Sequence, residues 1–326
     1  MRKKVLFIGG TGVISSACSA LAVDQGIDLD LFTRGKSIRP APAGANIIQG
    51  DIEDPDQIRQ LVDQRQYDCV VNWIVYQPEE IRRDISAFSG KVGQYIFISS
   101  ASAYQKPIKE LPITEETPLE NPYWAYSQAK KVCEELLFEA HQKEGFPATI
   151  VRPSHTYDKT LLPFPNGYTT LSRIIEGKPV VIHGDGNSLW ILTHHSDFAK
   201  GFLGLMGNTQ AIGEAYHITS DELLTWNGIF RMIAEAAGKE LKPVYVPSTV
   251  IARMDPEWGA GLLGDKAHSV IFDNTKIKSL VPDFKAVIPY REGCKDTVAW
   301  YQSNTDQQII DPLVSARMDE LIATYQ

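Results

Sequence analysis

Lys4-Val5-Leu6-Phe7-Ile8-Gly9-Gly10-Thr11-Gly12-Val13-Ile14-Ser15 is the stretch from which the rest of the chain is read. Val5–Ile8 is apolar and β-rich, it runs straight into a glycine turn, and a helical pattern follows at once. In a strand–turn–helix unit the glycines permit the tight turn and let backbone N–H groups approach a pyrophosphate at the positive end of the helix dipole. Gly9, Gly10, Thr11, Gly12, Val13 and Ile14 are therefore expected to cradle a dinucleotide; the plainer alternative is an αβ turn with no ligand. Ser15 stands where a third glycine is usual, and it is small enough for helix and strand to pack closely.

Outward from this turn, short apolar runs alternate with helix-patterned stretches. Lys4–Ile8, Asp28–Phe32, Asn46–Gln49, Cys69–Val75, Gln94–Ser99 and Ala148–Val151 read as parallel strands buried on both faces. Between them Ser15–Gln25, Pro55–Arg65, Pro78–Phe88 and Pro122–Glu144 read as crossover helices. That order predicts an α/β fold built on a doubly wound parallel sheet. After about Asp158 the alternation fades, and Pro163, Pro165 and Gly167 interrupt it before helical stretches at Tyr168–Glu176 and Trp226–Ala237 and a short run at Pro243–Val246. Residues 1–160 are assigned to the dinucleotide-binding domain and 161–326 mainly to a smaller, interleaved C-terminal substrate-binding lobe. Within 190–220, Asp197–Met206 and Glu214–Thr219 look like a helix and strand returning to the sheet.

Bulk properties narrow the function. A chain of 326 residues, 43% hydrophobic, can bury a substantial core. Its 40 acids against 32 bases give a net charge of -8, which argues against a broad nucleic-acid surface. Cys18, Cys69, Cys133 and Cys294 lack CxxC spacing and disulfide density, so they read as buried thiols in a reducing compartment. The apolar run after Met1-Arg2-Lys3-Lys4 is too short for a signal peptide and no stretch reaches membrane-spanning length, so a cytoplasmic location is expected. The histidines lack metal-ligand spacing with carboxylates, so no metal is expected.

The second strand ends in Thr33-Arg34-Gly35-Lys36, where an NAD site usually carries an acid. Thr33, Arg34 and Lys36 suit a 2′-phosphate and favour NADP over NAD, unless the pair is merely a solvated loop. After the third strand, Asp51 and Ile52 lie where adenine would sit, although Asp51 could instead cap Pro55–Arg65.

Tyr126 and Lys130 stand four apart in a helical pattern and so share a face. At an effective dielectric near 20 and about 4 Å, their attraction is about 4 kcal/mol. With about 1.4 kcal/mol per pKa unit, that is expected to bring the phenol from about 10 towards 7, in range for acid/base work. The preceding strand ends in Ser99-Ser100-Ala101-Ser102 at the carboxyl edge of the sheet, where open α/β sheets bind ligands. Ser100 is chosen to hold the substrate oxygen and Ser102 as a second polar contact, with capping and turn formation as the alternative.

Gly9-Gly10-Thr11-Gly12, Asp51, Ser99-Ser100-Ala101-Ser102-Ala103-Tyr104, Tyr126-Ser127-Gln128-Ala129-Lys130 and Val151-Arg152-Pro153 together resemble the extended short-chain dehydrogenase/reductases, in their sugar-nucleotide epimerase/dehydratase branch. Gly184-Asp185-Gly186, Asp197-Phe198-Ala199 and Gly264-Asp265 look like that branch's later landmarks. The resemblance implies a Rossmann-like fold, catalytic roles for Ser100, Tyr126 and Lys130, and a nicotinamide-ribose contact for Lys130. It implies cofactor contacts that also include Trp73, Ser99, Pro153 and His155, a small-molecule sugar or nucleotide-sugar substrate, and a homodimer formed through Pro78–Phe88 and Pro122–Glu144. Dehydratases of this kind follow the hydroxyl residue with Asp-Glu, whereas Ala101 and Ser102 stand here, which resembles epimerases or reductases more.

The departures lie at the substrate end. The arginines that usually hold a nucleotide diphosphate are replaced by Trp190 and by Leu262-Leu263, and the familiar asparagine of the Arg-Pro segment is His155. Trp73, Tyr76, Tyr104, His155, Tyr157, Trp190, His194 and His195 are read as a wall that could face something other than a diphosphate, or simply as core. Two other readings stay open. The Thr33-Arg34-Gly35-Lys36 turn and the bulky fourth strand resemble chloroplast RNA-binding relatives, and a redox sensor would bind cofactor without turnover.

Overall fold

The computed structural model describes residues 2–164 and 167–325, so Pro165, one of the predicted pattern breakers, lies outside the described residues. Strands β1 (Lys4–Ile8), β2 (Asp28–Thr33), β3 (Asn46–Gln49), β4 (Cys69–Asn72), β5 (Tyr95–Ile98) and β6 (Ala148–Pro153) join Ala215–Ile218 in one sheet. Reading across from Ala215–Ile218, the order is β6, β5, β4, β1, β2, β3, and every pairing is parallel. This is the predicted doubly wound sheet, and its strand order reverses between β1 and β4.

Alternation along β1 shows why the runs are apolar throughout. Val5 and Phe7 pack on one face with Cys18, Ala22, Phe198 and Phe202. Leu6 and Ile8 pack on the other with Ile58, Ile81, Phe88 and Leu137. All four β1 side chains are fully buried, and each such burial contributes about 1.5–3 kcal/mol. The helices that cover the sheet are α1 (Val13–Asp24), α2 (Pro55–Gln64), α3 (Pro78–Phe88) and α4 (Ala125–Glu144), together with His195–Leu205, which lies against α1.

Most boundaries hold or shift by one or two residues from expectation, and two shift by three. The strand predicted as Cys69–Val75 leaves the sheet at Asn72, whose amide donates to Asp84 at 2.5 Å while its Oδ1 accepts from Ile74 N at 3.1 Å. The helix predicted from Pro122 begins at Ala125, because Asn121 is engaged in a turn. Its Nδ2 donates to the carbonyls of Ser102 and Gly264 at 2.7 and 2.6 Å, and its Oδ1 accepts from Tyr123 N at 3.1 Å.

A second layer of small elements sits at the carboxyl end of the sheet. His155–Tyr157 pairs with Leu192–His194, Val180–His183 with Pro243–Val246, and Leu189–Trp190 with Leu224–Thr225. Their core gathers Tyr157, Trp190, Trp226, Phe230 and Tyr290. All four cysteines are free and buried. Among the described residues no helix is long and apolar enough to cross a membrane.

Candidate active site

A cleft of about 900 Å³ opens over the carboxyl ends of the strands, at the reversal between β1 and β4. Every residue assigned to the dinucleotide from sequence lines it: Gly9 through Ile14, Thr33, Arg34, Lys36, Asp51, Ile52, Trp73, Ser99, Tyr126, Lys130, Pro153 and His155. Gly9 and Gly10 have φ of 97° and 98°, and a Cβ on Gly10 would meet Leu31 Cδ2 at 2.7 Å. Such a conformation is strained for any other residue. The first turn of α1 carries no acidic residue, so its dipole and free amides stay available to an anion. Gly12 is the exception, because Ser15 Oγ accepts its N–H at 2.8 Å. The residues present thus fit a dinucleotide's phosphates.

Beyond the end of β2, Arg34 and Lys36 line the cleft, are exposed and make no ion pair with any described residue. Asp51 does not cap α2. That role falls to Asp54, which accepts Asp56 N at 3.0 Å, leaving Asp51 bonded to Glu53 N at 3.1 Å. Ser37 and Arg39 also line the cleft and were missed in sequence. Ser37 Oγ donates to Thr11 O at 2.9 Å, folding the loop over the glycine turn, and Arg39 pairs with Asp158 at 2.8 Å.

Beyond the cleft lies a pocket of about 260 Å³, and Ser100, Tyr126, Pro153, Ser154 and His155 line both spaces. Ser100 Oγ lies 2.9 Å from Ser102 Oγ, which accepts from Ser127 Oγ at 2.8 Å. The Ser100 hydroxyl also accepts from Ser102 N at 3.2 Å, so the residue that lines both spaces also makes the capping bond.

The expected lowering of Tyr126 by Lys130 is corrected by the geometry. The phenol is pushed up to about 12 by burial, with the Ser100 hydroxyl pulling down and Tyr76 and Asp265 pushing up. Lys130 Nζ donates to Val75 O at 2.6 Å and Ile98 O at 2.7 Å, and burial brings it down to about 8. Its N–H groups are thereby engaged by carbonyl oxygens, and the groups that shift the phenol are its burial, Ser100, Tyr76 and Asp265 rather than this ammonium. Burial holds His155 down to about 3, helped by the Lys266 charge, so the ring is neutral at physiological pH. Trp190 Nε1 points at His155 Nδ1 from 3.4 Å.

The proposed substrate wall divides. Ser102, His155 and Trp190 line the 260 Å³ pocket, and Tyr76 lines the 900 Å³ cleft instead. Tyr104, Tyr157 and His194 line none of the described cavities and are corrected to structural roles. Tyr104 is fully buried between Arg152 Nη1 and His217 Nδ1, each 3.1 Å from its hydroxyl. Tyr157 packs edge-on against His194 and Tyr290. His194 caps His195–Leu205 by accepting Ser196 N at 3.3 Å, and His195 Nδ1 meets Val13 O at 3.0 Å.

Trp124, Ser154, Asp265, Lys266 and Phe272 also line the pocket and went unassigned. Asp265 and Lys266 belong to a π-helical turn, Leu262–Lys266, a geometry frequent at functional sites. Only the Gly264-Asp265 landmark hinted at it. A further missed residue is Glu134, at the centre of a buried network. It binds Arg152 Nη2 at 2.6 Å and accepts Ser99 Oγ at 2.5 Å, fixing a serine of the cleft.

The chain matches the model of the NAD dependent epimerase/dehydratase family over residues 5–87 and 81–219, and it belongs to that family. It is 28% identical over 254 residues to the chloroplast stem-loop binding protein of 41 kDa b of Arabidopsis thaliana, covering 72% of this chain and 64% of that protein. It is 26% identical over 295 residues to 2'-dehydrokanamycin reductase of Streptomyces kanamyceticus, covering 86% and 80%. Among solved structures, an epimerase from Methanothermobacter thermautotrophicus superposes with a TM-score of 0.77 at 18% identity, covering 94% of each chain. UDP-glucuronic acid 4-epimerase from Bacillus cereus in complex with NAD gives 0.72 at 19% identity, covering 92% of this chain and 99% of that one. At these identities the superpositions show the fold.

Proposed function

We propose that this family member is an NAD(P)-dependent oxidoreductase acting at a carbinol carbon of a sugar or nucleotide sugar, with Tyr126 as acid/base. The observation that carries this reading is that Ser100 and Tyr126 line the dinucleotide cleft and the adjoining pocket alike. A reacting carbon there sits between the two. Bound in the cleft, a nicotinamide dinucleotide supplies or accepts the hydride.

Ser100 holds the substrate oxygen and Tyr126 exchanges its proton. The phenol, raised to about 12, is protonated at neutral pH, the form that delivers a proton to a carbonyl oxygen as reduction proceeds. Lys130 orients the nicotinamide ribose from its anchored position. Ala101 and Ser102 supply no acid/base pair for water loss, which supports an epimerase or reductase over a dehydratase. The unpaired Arg34 and Lys36 support NADP over NAD. Four buried free thiols support a reducing, cytoplasmic setting, and α3 with α4 is the surface we assign to a homodimer. The net charge of -8 argues against the RNA-binding alternative.

A screen of sugars and nucleotide sugars for change in nicotinamide absorbance, repeated with Tyr126→Phe, tests the reading. The variant is expected to lose turnover by about 10²–10⁴ while keeping NADPH affinity. Undiminished turnover sinks the assignment, and a sensor would keep its output without any turnover.

A further inference from the structure

A cavity of about 440 Å³ adjoins the 260 Å³ pocket, and the two share His155 and Lys266. Its walls are aromatic and aliphatic, including Phe164, Trp226, Phe230, Trp258, Leu262 and Leu313. The shared wall is held firmly. Lys266 O accepts from His183 Nε2 at 3.1 Å, Ser188 Oγ at 3.2 Å and Trp226 Nε1 at 3.1 Å.

Charge decides what such a space can take. Its charged lining groups are Asp255, Glu257, Lys266, Asp311 and Arg317. Arg317 is bonded to Asp255, which also caps Trp258 N at 3.0 Å. Asp311 accepts Leu313 N and Val314 N at 2.9 and 3.2 Å. Among the described residues Lys266 has no carboxylate partner, and its ammonium stands 5.6 and 5.8 Å from the centres of the Trp124 and Trp190 rings, which belong to the first pocket. Among the described lining residues, the second cavity therefore offers one free cation against the carboxylates of Glu257 and Asp311. A pyrophosphate is a multiply charged anion, and burying charge without partners is strongly unfavourable. Rings with apolar faces, in contrast, suit the indoles and phenyls.

We propose that the 440 Å³ cavity holds the aglycone of a neutral glycoside, an uncharged ring joined to a sugar seated beside Ser100 and Tyr126, in place of a nucleoside diphosphate. This rests on the function proposed above and narrows its substrate. Trp258 supplies the stacking face and Leu313, 68% exposed, the rim.

The test uses the full chain, with and without NADPH, and calorimetry with p-nitrophenyl glycosides of glucose, galactose, mannose and xylose against UDP and UDP-glucose. At least one aryl glycoside is expected to bind saturably and at least about tenfold more tightly than either uridine nucleotide. Trp258→Ala and Leu313→Asp are each expected to weaken it about tenfold, with binding of the matching methyl glycoside unchanged. Leu313→Asp alters an exposed side chain, so it separates recognition from folding. Tighter binding of UDP or UDP-glucose overturns the proposal, and so does the absence of saturable aryl-glycoside binding. Failure to bind NADPH, or glycoside binding with no hydride transfer, counts against the proposed reaction and leaves the aglycone site standing.

Discussion

The Lys130 ammonium stands 5.6 Å from the centre of the Tyr126 ring, and it donates to the carbonyls of Val75 and Ile98. It is a fixed post at the cleft wall, coupled to the phenol only through space. Lys130→Met is expected to reduce turnover by about 100-fold and to weaken NADPH binding. Because the wild-type ammonium is buried at the expense of its hydration, thermal stability should not fall. A stable variant with normal kinetics would remove Lys130 from the site.

Arg34 and Lys36 face the cleft with no ion-pair partner among the described residues. Losing a charge-assisted hydrogen bond costs about 1.5–3 kcal/mol, so Arg34→Ala combined with Lys36→Ala should raise the NADPH KM at least about tenfold. The NADH KM should hardly move. Equal effects on both cofactors would assign the pair to the loop surface instead.

Gly10→Ala places a methyl against Leu31 at φ of 98°. Backbone strain of this kind costs about 1–3 kcal/mol. Denaturant titration should show that loss, and NADPH should restore less stability to the variant than to the wild type. An unaltered midpoint would mean that the turn does not need glycine.

The Glu134–Arg152 pair is buried, with side chains 1% and 5% exposed. Leaving one member alone costs about 3–5 kcal/mol, so Glu134→Leu should be far less stable than Glu134→Leu with Arg152→Met. Ser99 loses its acceptor in both. If the double variant is stable yet slow, Glu134 positions the cleft serine as well as holding the core.

Burial keeps His183 neutral, down to about 4 against an ordinary 6.5. The unfolded chain therefore binds the proton first, and the stability from this group is complete above pH 6.5 and lost as pH falls towards 4. Replacing it with Asn should flatten the acid limb of a stability–pH curve between those values. An unchanged slope would assign acid sensitivity to other groups.

The α/β order was legible because parallel strands buried on both faces are apolar throughout and helices between them are not. Gly9–Ile14, Arg34, Asp51, Ser99 and Tyr126 could be placed in one cleft for a related reason. In such a sheet the carboxyl ends of neighbouring strands converge whatever their spacing in sequence. Tyr104, Tyr157 and His194 misled because an aromatic or imidazole side chain reads alike in a cavity wall and in a core. The sequence also carried no sign that Asn121 would delay α4, and only the Gly264-Asp265 landmark hinted that Asp265 and Lys266 would turn inwards.

The chain's pattern of glycines, apolar runs and hydroxyl residues by itself determined the doubly wound parallel sheet and the family, while the strand order and its reversal point came from the structure. Periodicity and backbone freedom are local properties, written residue by residue. Only tertiary structure decided the protonated phenol, the anchored ammonium and the charge of the second cavity. These depend on which groups lose water and which find partners, and that is set by residues far apart in the chain, such as His155, Trp226, Lys266 and Arg317.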